Sequence, residues 1–300
     1  MTQNFQLEVE GRFIQITNPK KPLWPEIPIE KIDYLTYLIN ISSYLLPHLQ
    51  NRLLTTIRFP HGIHETSFFQ KNCPSYAPDW IQTYTWRKTR YILVNDLPTL
   101  IWLGNQACLE FHIPFQKYNQ TSPSEIAFDL DPMDLENFDL VLECAILVKD
   151  ILSSLGITAY PKTSGASGLQ IFVPIEEKYS YDDTHQFNQF IAQYMVDKYP
   201  RFITIERFVK NRGKKLYFDY LQHGEGRTLP APYSIRANAL GSISTPVTWE
   251  EINKGFLPSD FSIHTVKDRV NQVGDLFKPI LQVQTKQNID EILTFINRSL

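Results

Sequence analysis

The stretch Glu125–Pro132, EIAFDLDP, decides how the rest of the chain is read. Taken as a strand, it sets Ile126, Phe128 and Leu130 on one face and Ala127, Asp129 and Asp131 on the other, because side chains alternate along a strand. Two carboxylates then share one face and repel each other. A divalent cation removes that repulsion, since carboxylate oxygens suit Mg2+ or Mn2+. The stretch therefore reads as a metal site, against the plainer interpretation of a sheet end with two solvated aspartates.

Around it lies a chain of 300 residues with 43% hydrophobic content, enough for a sizeable core in one large domain or two packed halves. Aromatic residues make up 13%, so few segments are polar enough to stay disordered. No apolar run reaches the roughly 18 residues of a membrane span, and the first residues lack signal-peptide character, so no membrane and a cytoplasmic location are expected. Cys73, Cys108 and Cys144 are far apart and show no metal or disulfide spacing. They read as reduced thiols.

The net charge of -3 does not by itself suggest nucleic acid, but its distribution is uneven. Residues 1–120 carry a net +2, residues 121–200 a net -9 and residues 201–300 a net +4. Acidic charge thus surrounds the opening motif. Arg201 to Arg236 holds eight basic residues against three acidic ones, a local surface able to face an anion.

In chain order, FQLEVEGRFIQI at 5–16 predicts a strand pair turned at Gly11. Four prolines in ITNPKKPLWPEIPIEK then predict a rigid segment ending in a helix from about Glu30 to Leu46. Lys20, Lys21 and Lys31 stand where ammonium groups and helix N-terminal amides favour a phosphate, or are surface lysines of a linker. Leu53–Phe59 and Ser67–Lys71 read as a hairpin interleaving Arg58, Phe68, Phe69 and Lys71, a mixture that suits base stacking with phosphate contacts. Adjacent strand positions also require one of Phe68 and Phe69 to point into a core. A strand, a helix at about 97–108 and the run LEFHIPF follow; His112 in that run is read as structural on its own evidence. An amphipathic helix is expected over Leu135–Leu155, stopped by Gly156.

The stretch YPKTSGASGLQIFVPI, 160–175, sets a strand, a small-residue turn and a second strand. Its glycines permit turned amides that form an anion nest, with Lys162, Ser164 and Ser167 as further donors, although a glycine-rich hairpin is the commoner meaning. A helix over Thr184–Tyr199 precedes KLYFDYLQ, where Asp219 lies on an apolar strand. A carboxylate there costs several kcal/mol unless paired or metal-bound, which makes Asp219 the natural third ligand. Arg227 and Arg236 follow as phosphate contacts.

Taken in order, FDLDP, KTSGASGLQIFVP, KLYFDYLQ and APYSIRANALGSISTPVTWEE resemble the polymerase domain of bacterial ligase D, in the archaeo-eukaryotic primase superfamily; ITNPKKPLWP, RFPHG, FFQK and APDW resemble it too. The resemblance implies an α/β (α+β) primase-polymerase fold with mixed and antiparallel sheets flanked by helices. It implies a single catalytic domain over 1–300, with a DNA- and 5′-phosphate-binding part at 1–120, a catalytic core at 121–255 and a helical tail at 256–300. The implied activity is template-directed addition of NTPs or dNTPs to a primer 3′ end at gaps or breaks, in non-homologous end joining. By position, Asp129, Asp131 and Asp219 would hold two Mn2+ or Mg2+ ions. His112, Ser164, Ser167, Gln170 and Arg236 would line the nucleotide pocket. Lys21 and Lys31 would bind the 5′-phosphate, and Arg58, Phe68, Phe69 and Lys71 the template. Ku, an ATP-dependent DNA ligase and a nucleoid-associated location are implied by the family alone.

One departure stands out. Many superfamily members carry SGxxGxH in the second motif, and here the last position is Gln170, while Ser167 replaces a familiar lysine. Gln170 can donate to a triphosphate oxygen but carries no charge, so either nucleotide affinity is lower or a cation such as Lys162 or Lys210 compensates. Two other readings are weighed: a catalytically weak 5′-phosphate end-binding module that recruits a ligase, and a DxD phosphatase of the haloacid-dehalogenase type. The motif's depth in the chain argues against the phosphatase.

Overall fold

The computed structural model describes residues 4–134 and 138–299. In chain order, β1 (Phe5–Val9) and β2 (Arg12–Ile16) form the expected hairpin, turned by Glu10 and Gly11, both at positive φ. The short strands β3 (Pro22–Trp24) and β4 (Ile29–Glu30) run into α1 (Lys31–Leu49), which Glu30 and Asp33 close with a reciprocal capping box. Next come β5 (Thr55–Arg58), β6 (Phe68–Gln70), β7 (Thr83–Trp86), β8 (Thr89–Ile92), α2 (Leu97–Asn105) and β9 (Cys108–Ile113). The Asp96 side chain accepts from Thr99 N at 2.8 Å and starts α2.

The opening motif forms β10 (Glu125–Asp131), followed by α3 (Phe138–Ser154). The first three residues of the helix expected at 135–155 lie outside the described residues. Then follow β11 (Tyr160–Thr163), β12 (Leu169–Pro174), α4 (Tyr181–Lys198), β13 (Ile203–Thr204), β14 (Leu216–Asp219), β15 (Leu229–Pro230), α5 (Trp249–Lys254), α6 (Val266–Val273), α7 (Lys278–Leu281) and α8 (Asp290–Ser299). The expected helical tail is thus a series of short helices separated by turns. Helix α4 starts three residues before the expected Thr184, because Ser180 caps it and exchanges hydrogen bonds with Asp183.

The chain forms two compact units, each discontinuous in sequence. The first takes residues 1–114, 229–244 and 259–274. It carries a four-stranded sheet in the order β15-β9-β5-β6 and the ribbons β1-β2, β3-β4 and β7-β8. Helices α1 and α2 pack so closely that a Cβ on Gly104 would stand 2.5 Å from Leu38 and 2.9 Å from Leu35. Two buried phenols lock this core: Tyr34 donates to Cys108 O and Tyr37 to Tyr233 O, both at 2.7 Å.

The second unit takes residues 115–228, 245–258 and 275–300. Its five-stranded sheet runs β11-β12-β10-β14-β13, antiparallel except for the β13-β14 pair. Strand β10 lies at the centre, paired along both edges, and its first six residues are buried. On the apolar face, which meets α4, Phe128 packs on Phe187 at 6.2 Å and edge-on to Phe218 of the neighbouring strand β14 at 5.8 Å between ring centroids. Ala127, Asp129 and Asp131 take the opposite face. The fold is the mixed α/β arrangement expected, and no helix among the described residues is long and apolar enough to cross a membrane. The three cysteines are free and buried, and burial pushes Cys108 up to about 11 and Cys144 to about 12.

Candidate active site

Register on the five-stranded sheet assembles the site. Lys162 pairs with Gln170, Gln170 with Asp129, and Asp129 with Asp219, so one polar row crosses β11, β12, β10 and β14. Directly opposed residues share a sheet face, which puts all four side chains on one side. Asp131, two residues on from Asp129, shares that face and lies opposite Tyr217.

Hydrogen bonds run along the row. Lys162 Nζ donates to Gln170 Oε1 at 2.6 Å, and Gln170 Nε2 donates to Asp129 Oδ1 at 3.0 Å. Asp219 Oδ1 accepts from the Tyr217 hydroxyl at 3.1 Å, from Leu221 N at 3.1 Å and from Gln222 N at 3.0 Å. Asp129 is buried, while Asp131 and Asp219 are half-buried. Burial, then the carboxylate of Asp131 and that of Asp219, push the Asp129 carboxyl well above the usual range, against the opposing pull of Gln170 and Lys162. Asp129 with two further carboxylates, Asp131 and Asp219, close enough to raise its proton affinity is a donor set that suits divalent cations. The residues fit such ions in a second respect: the hydrogen bonds described for Asp129 and Asp219 all go to Oδ1. Among the described residues no group of three or more acidic, histidine or cysteine side chains is placed to hold a metal ion; what register supplies is three aspartates on one sheet face.

The turn between β11 and β12 is held internally. Ser164 Oγ accepts from Ala166 N at 3.1 Å and from Gly168 N at 3.0 Å, which occupies two amides of the expected anion nest. Gly165 sits at φ +72°, and Gly168 packs against β10 where any side chain would strike Leu130 O. Ser167 is half-exposed on the same turn. Of the two cations considered as compensation for Gln170, Lys162 is fully buried beside it, whereas Lys210 is exposed on the turn after residue 208.

His112 and Arg236 belong to the first unit, where a residue that sequence reasoning passed over joins them. Glu110, buried on β9, accepts from His112 Nε2 at 2.8 Å, from Arg236 Nε at 2.9 Å and from Ala237 N at 3.0 Å. Burial alone would raise its carboxyl, but the His112 bond and the Arg236 guanidinium hold it below the usual range. A signal existed: Glu110 and His112 are two polar residues at strand spacing in an otherwise apolar run.

Lys21 and Lys31 come together in the same unit. Lys31, buried in the first turn of α1, donates to Thr17 O at 2.5 Å, and Lys21 donates to Pro60 O at 2.8 Å. Burial and then the neighbouring Lys21 charge bring the Lys31 ammonium down to about 8. Ammonium groups at a helix start are groups that favour an anion, the role expected of Lys21 and Lys31. Arg58 stacks over Phe68 at 5.3 Å and donates to the Tyr76 hydroxyl at 2.7 Å. The expectation that Phe68 or Phe69 enters a core fails: they are 44% and 71% exposed, because β6 is a three-residue edge strand with neither face covered. Lys71 is exposed just beyond it, so an aromatic and basic surface remains.

Comparison with known proteins bears on the whole arrangement. A family model described as the LigD primase-polymerase domain matches residues 30–277. The chain is 42% identical over 285 residues to the bifunctional non-homologous end joining protein LigD of Bacillus subtilis, covering 90% of this chain and 47% of that protein. It is 31% identical over 274 residues to the multifunctional non-homologous end joining protein LigD of Mycolicibacterium smegmatis, covering 89% and 36%. The chain thus spans about half or less of the relatives it matches. The solved polymerase domain of Mycobacterium tuberculosis ligase D in complex with DNA superimposes with a TM-score of 0.83 at 27% identity, covering 89% of this chain and 98% of that one. The phosphatase reading falls with these matches, and the chain belongs to the LigD primase-polymerase domain family.

Proposed function

We propose that the chain is a template-directed nucleotidyltransferase that adds NTPs or dNTPs to the 3′ end of a DNA primer at gaps or breaks bearing a 5′-phosphate, in non-homologous end joining. The observation that carries this reading is the Asp129–Asp219 cross-strand pair with Asp131 on the same face. These residues would hold two divalent ions, Mn2+ or Mg2+, which when bound activate the primer hydroxyl and stabilise the leaving pyrophosphate. Asp129 and Asp219 each keep Oδ1 in protein hydrogen bonds, which fixes their carboxylate planes. Ser164, Ser167, Gln170, His112 and Arg236 are assigned to the nucleotide, as the family resemblance implies. Lys21 and Lys31 take the 5′-phosphate as an anion. Arg58, Phe68, Phe69 and Lys71 present stacking and phosphate contacts to the template. Ku and an ATP-dependent ligase as partners, and a place on chromosomal DNA in the bacterial cytoplasm, belong to the same reading.

The test is primer extension on gapped, 5′-phosphorylated DNA with Mn2+ and labelled nucleotides. Asp129→Ala should abolish addition while leaving the gapped DNA bound. Absence of incorporation by the unaltered protein would overturn the polymerase reading and leave an end-binding module.

A further inference from the structure

Lys162 has no part in the reading above, yet it is fully buried at one end of the polar row. Its ammonium carries three N–H donors and no acceptor, so of the two ends of the Gln170 amide the oxygen must face it. That requirement fixes the Gln170 amide: Oε1 meets Nζ at 2.6 Å, and Nε2 is left to meet Asp129 Oδ1 at 3.0 Å. An amide is nearly symmetric in shape. Without the lysine it could turn over and present its oxygen to a carboxylate oxygen. Register makes the relay rigid, since Lys162, Gln170 and Asp129 are successive cross-strand partners on β11, β12 and β10.

We propose that Lys162 is a positioning residue that acts through Gln170, locking the amide so that its nitrogen holds the Asp129 carboxylate in the orientation that binds a divalent cation. The inference rests on Asp129 being a metal ligand. It also gives the neutral residue at position 170 a job directed at Asp129, with the positive charge kept one strand further back. Charge alone predicts the opposite sign: removing a buried cation near three carboxylates would tighten cation binding.

Mn2+ binding, followed by electron paramagnetic resonance without nucleotide or DNA, separates these outcomes, with thermal denaturation to establish folding. Lys162→Met and Gln170→Met should each weaken Mn2+ by about tenfold, the scale of one charge-assisted hydrogen bond. The double variant should be no more than about twofold worse than the weaker single, because the two residues act as a unit. Gln170→Glu gives a second reading should Lys162→Met fail to fold. It adds a negative charge yet loses the donor, and weaker Mn2+ binding is expected. Tighter binding in Lys162→Met or Gln170→Glu, or losses that multiply in the double variant, would overturn the proposal. If the unaltered protein binds Mn2+ no better than Asp129→Asn, the metal reading itself falls and this inference falls with it.

Discussion

Replacing Gly168 with alanine would push the SGASG turn and strand β10 apart. A Cβ at this position would stand 2.4 Å from Leu130 O and 3.1 Å from Asp131 Oδ1. Since a carbon resting against a carbonyl oxygen needs about 3.3 Å, the two segments must separate by roughly 0.9 Å. The nearer contact is backbone on β10, so no side-chain rotation relieves it. Overpacking of this kind costs about 1–3 kcal/mol. At about 2–4 °C per kcal/mol, the melting temperature should fall by roughly 2–12 °C. The functional effect should exceed the stability effect, because the displaced segment carries Asp131 and follows Asp129 directly. A misplacement near 1 Å can cost about 100-fold in rate. Gly168→Ala should therefore remain folded at 20 °C and lose about two orders of magnitude in primer extension with Mn2+, by the geometric argument. A protein that melts within about 1 °C of the original and extends primers within about threefold of its rate would refute the reasoning, since the predicted separation would then have no consequence.

Other predictions follow from the first unit. Lys31 is charged below about pH 8 and loses its proton above it, so the preference for 5′-phosphorylated over unphosphorylated gapped DNA should decline as pH rises through that value. The limiting slope is about tenfold per pH unit, and fluorescence anisotropy from pH 7 to 9.5 would show it; a flat ratio would exclude Lys31 from the phosphate site. Lys21→Ala should lower affinity for the phosphorylated DNA alone, and an equal loss with and without the phosphate would disprove the assigned role. Glu110→Gln keeps the shape but sets an amide against the donors of His112, Arg236 and Ala237, so nucleotide KM should rise by about tenfold with kcat changed less than about threefold. A KM below that of the original protein would mean that Glu110 acts through charge alone.

The parts of the fold legible in the sequence are those governed by local periodicity. Ile126, Phe128 and Leu130 against Asp129 and Asp131 is a two-residue alternation, and the structure keeps it. The apolar pattern places the start of α4 three residues late, at Thr184, while the capping pair Ser180 and Asp183 sets the start. The exposure of Phe68 and Phe69 was not legible, because strand character says nothing about whether a strand lies at a sheet edge. The partners of Lys162 and Glu110 were hidden for a related reason. The role of each depends on the residue placed opposite by register, as Gln170 is to Lys162, or brought in from more than 100 positions away, as Arg236 is to Glu110.

The polar row across four strands also dictates where the chain tolerates a change of length. One residue inserted within β10, β11, β12 or β14 would turn the following side chains to the opposite face and break the row at that strand. The same insertion in the connection between β13 and β14, where residues 207–211 are exposed, leaves every pairing in place. Length variation among homologues should therefore gather in such connections and be missing from these four strands. The spacing Asp129-x-Asp131 is fixed by the pleat of β10, whereas the distance in sequence from Asp131 to Asp219 is free to drift.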